Sequence, residues 1–246
     1  MNGWGKWLWG GLGWAVGGPI GGILGFALGS MAERRPGAGG RAEREYPRTR
    51  PGDFGVSLLV LLAAVMRADR RLLKSELAFV KQFFVETFGE QFAQERMTLF
   101  QDILEQDYPL GDVCRQIKRN MDHPSRLELL HLLFGLAHAD GDLDDTEIEV
   151  IRKIAGYLGI SDRDLESIKA MFIMDNQSAY RILEVDPQAD DETVKKAYRR
   201  MANRYHPDKV SHLGPEFLVV AEEKFKAINQ AYQQIKEERG AKAPIG

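Results

Sequence analysis

His206, Pro207 and Asp208 place an imidazole and a carboxylate on either side of a residue whose ring fixes its own φ near about −65°. An imidazole beside a carboxylate is the raw material of acid–base chemistry. No serine or cysteine nucleophile stands at a recognised spacing to it, however, and the chain holds no HExxH pair. His123, His131 and His138 are scattered through apolar segments and read as packing or solvated groups. Cys114 is the only cysteine, which excludes an intrachain disulfide and a cysteine-based zinc site. It shares a helical phase with Val113, Ile117 and Met121, so it reads as an inert core thiol. The residues therefore indicate a binding module rather than an enzyme.

A second group of reactive types is acidic. Met66-Arg67-Ala68-Asp69 leads to Leu72 and Glu76, and Ala137-His138-Ala139-Asp140 leads to Leu143 and Glu147, with seven residues from Asp to Glu in both copies. Asp69, Glu76, Asp140, Asp142, Asp144 and Glu147 can either gather a divalent cation between two turns or cap helix N-termini without a metal. An EF-hand is excluded, because counting from Asp140 puts Asp145 at the turn-glycine position and Ile151 at the final Glu position. In the first copy Arg70 and Arg71 stand where the second has Gly141 and Asp142, which weakens a cation site there.

Lys195, Lys196, Arg199, Arg200 and Arg204 crowd one face of the segment that leads into His206, while Val194, Tyr198, Met201 and Tyr205 recur as its buried stripe. Such a face suits an acidic protein surface by charge complementarity. Nucleic acid is not the expected partner: the chain's net charge is −3 and no groove-reading motif is present.

The elements that must hold these residues are helical throughout, giving an all-α fold. Ser178 to Leu183 reads as a short helix, ended at Val185-Asp186-Pro187 because a residue before proline leaves helical space. Asp190 caps a second helix. A third, from about 215 to 236, matches it with Phe217, Ala221, Phe225, Ile228, Tyr232 and Ile235, so the His-Pro-Asp tripeptide joins an antiparallel hairpin. Residues 55–174 show apolar positions at helical spacing and read as a bundle of about seven helices, followed by the hairpin domain at 177–246.

The first 32 residues differ. From Trp7 to Ala32 no side chain is charged, long enough at about 1.5 Å per residue to cross a hydrocarbon core of about 30 Å. Trp4, Trp7, Trp9 and Trp14 sit at its start, where indoles favour the water interface. Arg34, Arg35, Arg41, Arg44, Arg48 and Arg50 follow it, against Lys6 before it, so the expected orientation leaves the N-terminus outside and the later domains in the cytoplasm. Residues 33–54, rich in Arg, Gly, Pro and Glu, read as a basic linker able to rest on anionic lipid. Gly13, Gly17, Gly21, Gly25 and Gly29 recur every fourth residue and form a smooth stripe suited to homodimerisation between membrane helices.

With AYRRMANRYHPDK and KFKAINQAY in register around the tripeptide, the C-terminal region resembles a J-domain. The resemblance implies a DnaK-type chaperone ATPase as partner. It places Lys195, Arg199, Arg200 and Arg204 on that ATPase, gives Tyr198 a part in shaping the face, and has His206, Pro207 and Asp208 engage the ATPase and linker region. The loop from Lys209 to Pro215 is longer than the simplest J-domains carry, and no Gly/Phe-rich stretch or CxxCxGxG module follows. The repeated acidic pattern resembles the TerB-like helical domain, in which such turns are associated with metal binding. Membrane segment, TerB-like domain and J-domain in this order, with MNGWGKWLWGG and GFALGSMAERR at the start, resemble the DjlA family of membrane-anchored DnaJ-like proteins. That family implies regulation of DnaK at the cell inner membrane. A second expectation from the acidic turns is a metal-responsive envelope-stress module with the J-domain as effector.

Overall fold

The computed structural model describes residues 18–27, 54–68, 74–138, 145–213 and 215–242, and every regular element among them is helical. Helix α1 covers 18–27. The bundle comprises α2 (Phe54–Met66), α3 (Lys74–Phe88), α4 (Glu90–Leu104), α5 (Leu110–Asn120), α6 (His123–Ala137), α7 (Asp145–Leu158) and α8 (Asp162–Lys169). Then come α9 (Ser178–Ile182), α10 (Asp191–Arg204), two 3₁₀ turns at Pro207–Lys209 and Ser211–Leu213, and α11 (Pro215–Lys242).

Helix α2 carries no charged residue and is buried at every position but Ala64, as a helix apolar all round must be. It packs against α4, α5, α6 and α7, so the rest of the bundle is arranged around it. Tyr108, before α5, donates its hydroxyl to the Val60 carbonyl at 2.7 Å, tying the α4–α5 loop to this central helix. The repeat in the sequence coincides with equal helix spacing: α3 begins eight residues after α2 ends, and α7 begins eight residues after α6 ends.

Local signals set the later helix starts. Asp122 accepts the Ser125 N–H at 3.0 Å ahead of α6, with Pro124 in the first turn, where its missing N–H costs nothing. Ser161 and Asp164 form a reciprocal cap on α8: the Asp164 N–H donates to Ser161 Oγ at 3.2 Å, and the Ser161 hydroxyl donates to Asp164 Oδ2 at 2.6 Å. Asp190 accepts the Thr193 N–H at 2.7 Å, as expected from the sequence. Cys114 is fully buried, and burial pushes its thiol up to about 12, in keeping with an inert core role.

Two boundaries differ from the sequence reading. The short helix α9 stops at Ile182, and the chain leaves it through Glu184 at φ 53°, before Pro187 exerts any restriction. The long helix α11 continues to Lys242 instead of ending near 236. Of the glycine-rich N-terminal segment, Ile20, Ile23 and Leu24 are buried with the bundle core, Ala27 is buried too, and the Ile20 N–H donates to Gln116 Oε1 at 3.0 Å. No helix among the described residues is long and apolar enough to cross a membrane. The rest of the stretch from Trp7 to Ala32 lies outside them.

Helix α7 ends on Gly159, whose φ is 69°, while the Ile160 N–H returns to the Ala155 carbonyl at 2.9 Å. This left-handed exit favours glycine because a Cβ there meets the following carbonyl. An added Cβ would also lie 2.6 Å from Lys118 Nζ, but that is the movable end of a long side chain. Gly159→Ala is therefore expected to lower stability by about 1–2 kcal/mol, almost all of it backbone strain. Urea unfolding of the full chain in detergent checks this, and an unchanged midpoint would refute the assignment.

Candidate partner-docking site

The antiparallel pair α10 and α11 buries Val194, Ala197, Met201 and Tyr205 against Ala221, Ile228, Ala231 and Ile235. Tyr198 and Tyr232 stack with centroids 4.3 Å apart and planes 14° apart, and the Tyr198 hydroxyl donates to Asn229 Oδ1 at 2.9 Å. That contact fixes the register of the hairpin. The His206-Pro207-Asp208 tripeptide then follows directly from the C-terminus of α10.

His206 has φ −65° and ψ 132°, the extended backbone that a following proline imposes. Its Nδ1 accepts the Asp208 N–H at 3.3 Å, and its ring meets Phe225 edge-on at 5.6 Å. Lys209 N–H donates to the His206 carbonyl and Val210 N–H to that of Pro207, closing a tight 3₁₀ turn around the proline. Val210 is buried and anchors the loop, while the Asp208 side chain is 88% exposed and that of His206 47% exposed. The loop is rigid at its base and open at its reactive groups.

The neighbouring cations fall into two classes. Lys195 and Arg199 are exposed and make no ion pair among the described residues, and Lys196 pairs only with Glu192 on its own helix. Arg200 and Arg204 are instead bound to partners within the chain, although Arg200 stays 45% exposed. Arg200 donates to the Leu183 carbonyl at 3.2 Å and lies 3.5 Å from Glu184 Oε2, and Arg204 donates to Glu184 Oε1 at 2.7 Å and to Asp164 Oδ1 at 2.6 Å. Burial opposes the charge on Arg204, but the Glu184 and Asp164 carboxylates outweigh it and hold the guanidinium above its ordinary range.

Asp164 belongs to the bundle, so the hairpin is joined to it directly. Three further contacts share that junction. Lys224 of α11 donates to Glu128 of α6, with side chains 2% and 0% exposed. His212, in the long loop after the tripeptide, lies 3.2 Å from Ser125 Oγ. Ser167 of α8 donates to the Ile182 carbonyl of α9 at 2.8 Å. A crevice of about 10 Å³ remains between Pro124 and Glu128 on the bundle side and Tyr205, His206, Lys209 and Lys224 on the hairpin side.

Sequence reasoning missed Glu128, Asp164, Glu184 and Lys224. Two of them left a visible signal. Lys224 falls three residues after Ala221 and four before Ile228, inside the apolar stripe of α11, and Glu128 interrupts the run Leu127, Leu129, Leu130. A charge in an apolar phase asks for a buried partner. Asp164 and Glu184 carry no such signal in the sequence.

The acidic repeat is only partly visible. Glu147 is buried in the first turn of α7, and Glu76 lies in the first turn of α3, with its side chain outside the described set. Asp69, Asp140, Asp142 and Asp144 lie outside the described residues. Among the described residues no group of three or more His, Cys, Asp or Glu side chains is arranged to hold a metal ion. Gly21 and Gly25 lie in α1, whereas Gly13, Gly17 and Gly29 lie outside the described residues.

Comparison with known proteins agrees with this division. Family models match residues 1–44 (co-chaperone DjlA transmembrane domain), 56–170 (tellurite resistance protein TerB) and 178–242 (DnaJ domain). The chain is similar to the co-chaperone protein DjlA of Vibrio parahaemolyticus, at 30% identity covering 83% of this chain and 84% of the relative. It is also similar to the proteins of that name from Haemophilus influenzae, at 27% identity over 94% and 96%, and Photobacterium profundum, at 28% over 97% and 100%. No solved structure matches it.

His131, one turn beyond Glu128, lies against Phe172 at 4.8 Å, and its Nδ1 has no hydrogen-bond partner. Burial first, and the Lys224 charge second, push its pKa well below the ordinary value. The unfolded chain therefore takes up a proton near pH 6.5 that the folded chain refuses. Stability is present above about pH 6.5 and falls as pH drops below it, by up to about 1.4 kcal/mol per pH unit. His123, shifted downward by burial in the same direction, adds to the slope. His131→Phe is expected to flatten it, as read by urea midpoints between pH 7 and 5; an unaltered slope would exclude His131 as a source.

Proposed function

The chain belongs to the DjlA family of J-domain co-chaperones, and from that premise we propose that it stimulates ATP hydrolysis by a DnaK-type chaperone through His206, Pro207 and Asp208. The observation that carries this reading is the tripeptide itself, based on buried Val210 and open at Asp208 and His206, beside the exposed cations Lys195 and Arg199. Free cations steer an acidic partner surface into place and set its orientation more than they add affinity. The tripeptide then acts on the docked partner. Nothing covalent is required of this chain: a co-chaperone shifts its partner toward the hydrolysing state only by binding that state better. Tyr198 serves by stacking on Tyr232, which keeps the cationic face and the tripeptide on one rigid hairpin.

The proposed setting is the cell inner membrane. The arginines after residue 32 favour an N-terminus outside and the TerB-like and J domains in the cytoplasm, where ATP and a DnaK-type partner are available. The four-residue glycine period supports close approach of two anchors and hence a homodimer, through van der Waals contact across a small-residue face. Gly17→Leu with Gly21→Leu is expected to abolish self-association in a membrane reporter assay while insertion persists, since leucine is more apolar but too bulky for the seam. Association as strong as wild type would exclude that seam.

His206→Gln and Asp208→Asn should each abolish stimulation in a single-turnover ATPase assay with purified DnaK while the helical circular dichroism stays unchanged, because neither side chain belongs to the buried stripe of the hairpin. Arg199→Glu should weaken docking instead, and wild-type docking should weaken as salt rises, since exposed charges are screened over about 10 Å at 0.1 M. Full stimulation by either tripeptide variant would overturn the assigned roles.

A further inference from the structure

Two cations that flank the tripeptide, Arg204 and Lys224, are already held by carboxylates of the chain's own bundle. Arg204, one helical turn beyond Arg200, is 32% exposed and spends its guanidinium on Asp164 of α8 and on Glu184. Lys224, one residue before the Phe225 ring that backs His206, is sequestered by Glu128 of α6, with its ammonium 5.0 Å from the Tyr205 ring centroid. Beyond the tripeptide, the second 3₁₀ turn sets His212 against Ser125 at the start of α6. These contacts come from both sides of His206 and leave only a small crevice between them.

We propose that the TerB-like bundle is an intramolecular competitor for the J-domain's partner: Asp164 and Glu128 hold the flank of the hairpin next to the tripeptide, and full docking requires their release. This rests on the co-chaperone reading. Asp164 presents to Arg204 the same chemistry, a carboxylate, that an acidic docking surface would present. Lys195 and Arg199 remain free on the far part of α10, so a partner can still make first contact there while the bundle is seated. The Glu128–Lys224 pair suits a latch more than a weld. Taking both charges out of water costs most of what their attraction returns, whereas the geometry is demanding, so the closed state is specific without being very stable. The extended loop after the tripeptide has a role here, since it carries His212 to α6.

The test uses the full chain in lipid nanodiscs with spin labels at Glu149→Cys and Gln233→Cys, since buried Cys114 does not compete for label. Three forms are compared with wild type: Asp164→Asn, which keeps the Ser161 cap but removes the charge facing Arg204; Glu128→Lys, which sets two cations together; and the swap Glu128→Lys with Lys224→Glu. The first two are expected to broaden the interdomain distance and to bring half-maximal DnaK stimulation to an about fivefold lower concentration. The swap should return both readouts toward wild type. If Glu128→Lys fails to fold, Asp164→Asn alone carries the comparison. Unchanged distances, or broadened distances with unchanged or weaker stimulation, overturn the competitor role. Absence of stimulation in every form, wild type included, defeats the co-chaperone reading itself and the competition with it.

Discussion

The buried carboxylate of Glu184, 2% exposed, cannot stay charged without cations, and the ways it is satisfied organise the C-terminal half of the molecule. Burial pushes its pKa up, and Arg204 pulls it back. To deliver that guanidinium, α10 must cross the end of α9 at one position, and Arg200 adds its own bond to the Leu183 carbonyl from the same face. The left-handed turn at Glu184 is what swings the carboxylate under α10. Because Arg204 also reaches Asp164, the same charge that fixes the J-domain internally fixes where the bundle sits. Removing Arg204 leaves the Glu184 carboxylate buried with only Arg200, 3.5 Å away, to offset it, which is why that change costs more than breaking an exposed pair.

The two ionic links across the junction act differently. Arg204–Asp164 is partly hydrated and sits at the rim, so its contribution is screened and modest. Glu128–Lys224 is dry, and Glu128 Oε1 has no hydrogen-bond partner, so its lone pairs are incompletely satisfied. A leucine and a methionine in those places would hold the domains more firmly but would accept many relative orientations. The charged pair instead makes one orientation distinctly better than its neighbours and keeps the interface capable of separating. Ser167, donating to the Ile182 carbonyl, supplies a short-range pivot close to the covalent connection.

How much of this was legible in the sequence depends on the range of the interaction. The α10–α11 hairpin was readable because its stripe, its Asp190 cap and its tripeptide are local, and the bundle's apolar phases and its repeated seven-residue Asp-to-Glu gap are local too. The exit of α9 was misplaced because a proline is an obvious punctuation mark, whereas Glu184 in the left-handed region is stabilised by Arg200 and Arg204 from another helix. Arg200 and Arg204 were read with Lys195 and Arg199 as one face, since helical phase cannot distinguish a cation facing water from one whose carboxylate arrives from forty residues away, as Asp164 does for Arg204. Lys224 and Glu128 sat in the wrong phase for their charge, and that mismatch was the only trace of the junction.

The same logic governs the N-terminal segment. Ile20, Ile23 and Leu24 bury themselves in the bundle core, yet residues 1–44 match a transmembrane domain. These demands are compatible in side-chain terms, because a lipid tail and a leucine-rich core are nearly equivalent solvents for an aliphatic group. The backbone discriminates more strongly. Within hydrocarbon every N–H must be satisfied along the helix itself, whereas on the bundle the Ile20 N–H, two residues after Gly18 with φ 64°, is taken by Gln116. Gln116 is buried in α5 among apolar neighbours, where an amide without a partner is costly, so its bond to Ile20 answers a need of the bundle as well as of the segment. The apolar side chains make the segment fit for either medium, and the amide of Gln116 favours the protein over the lipid.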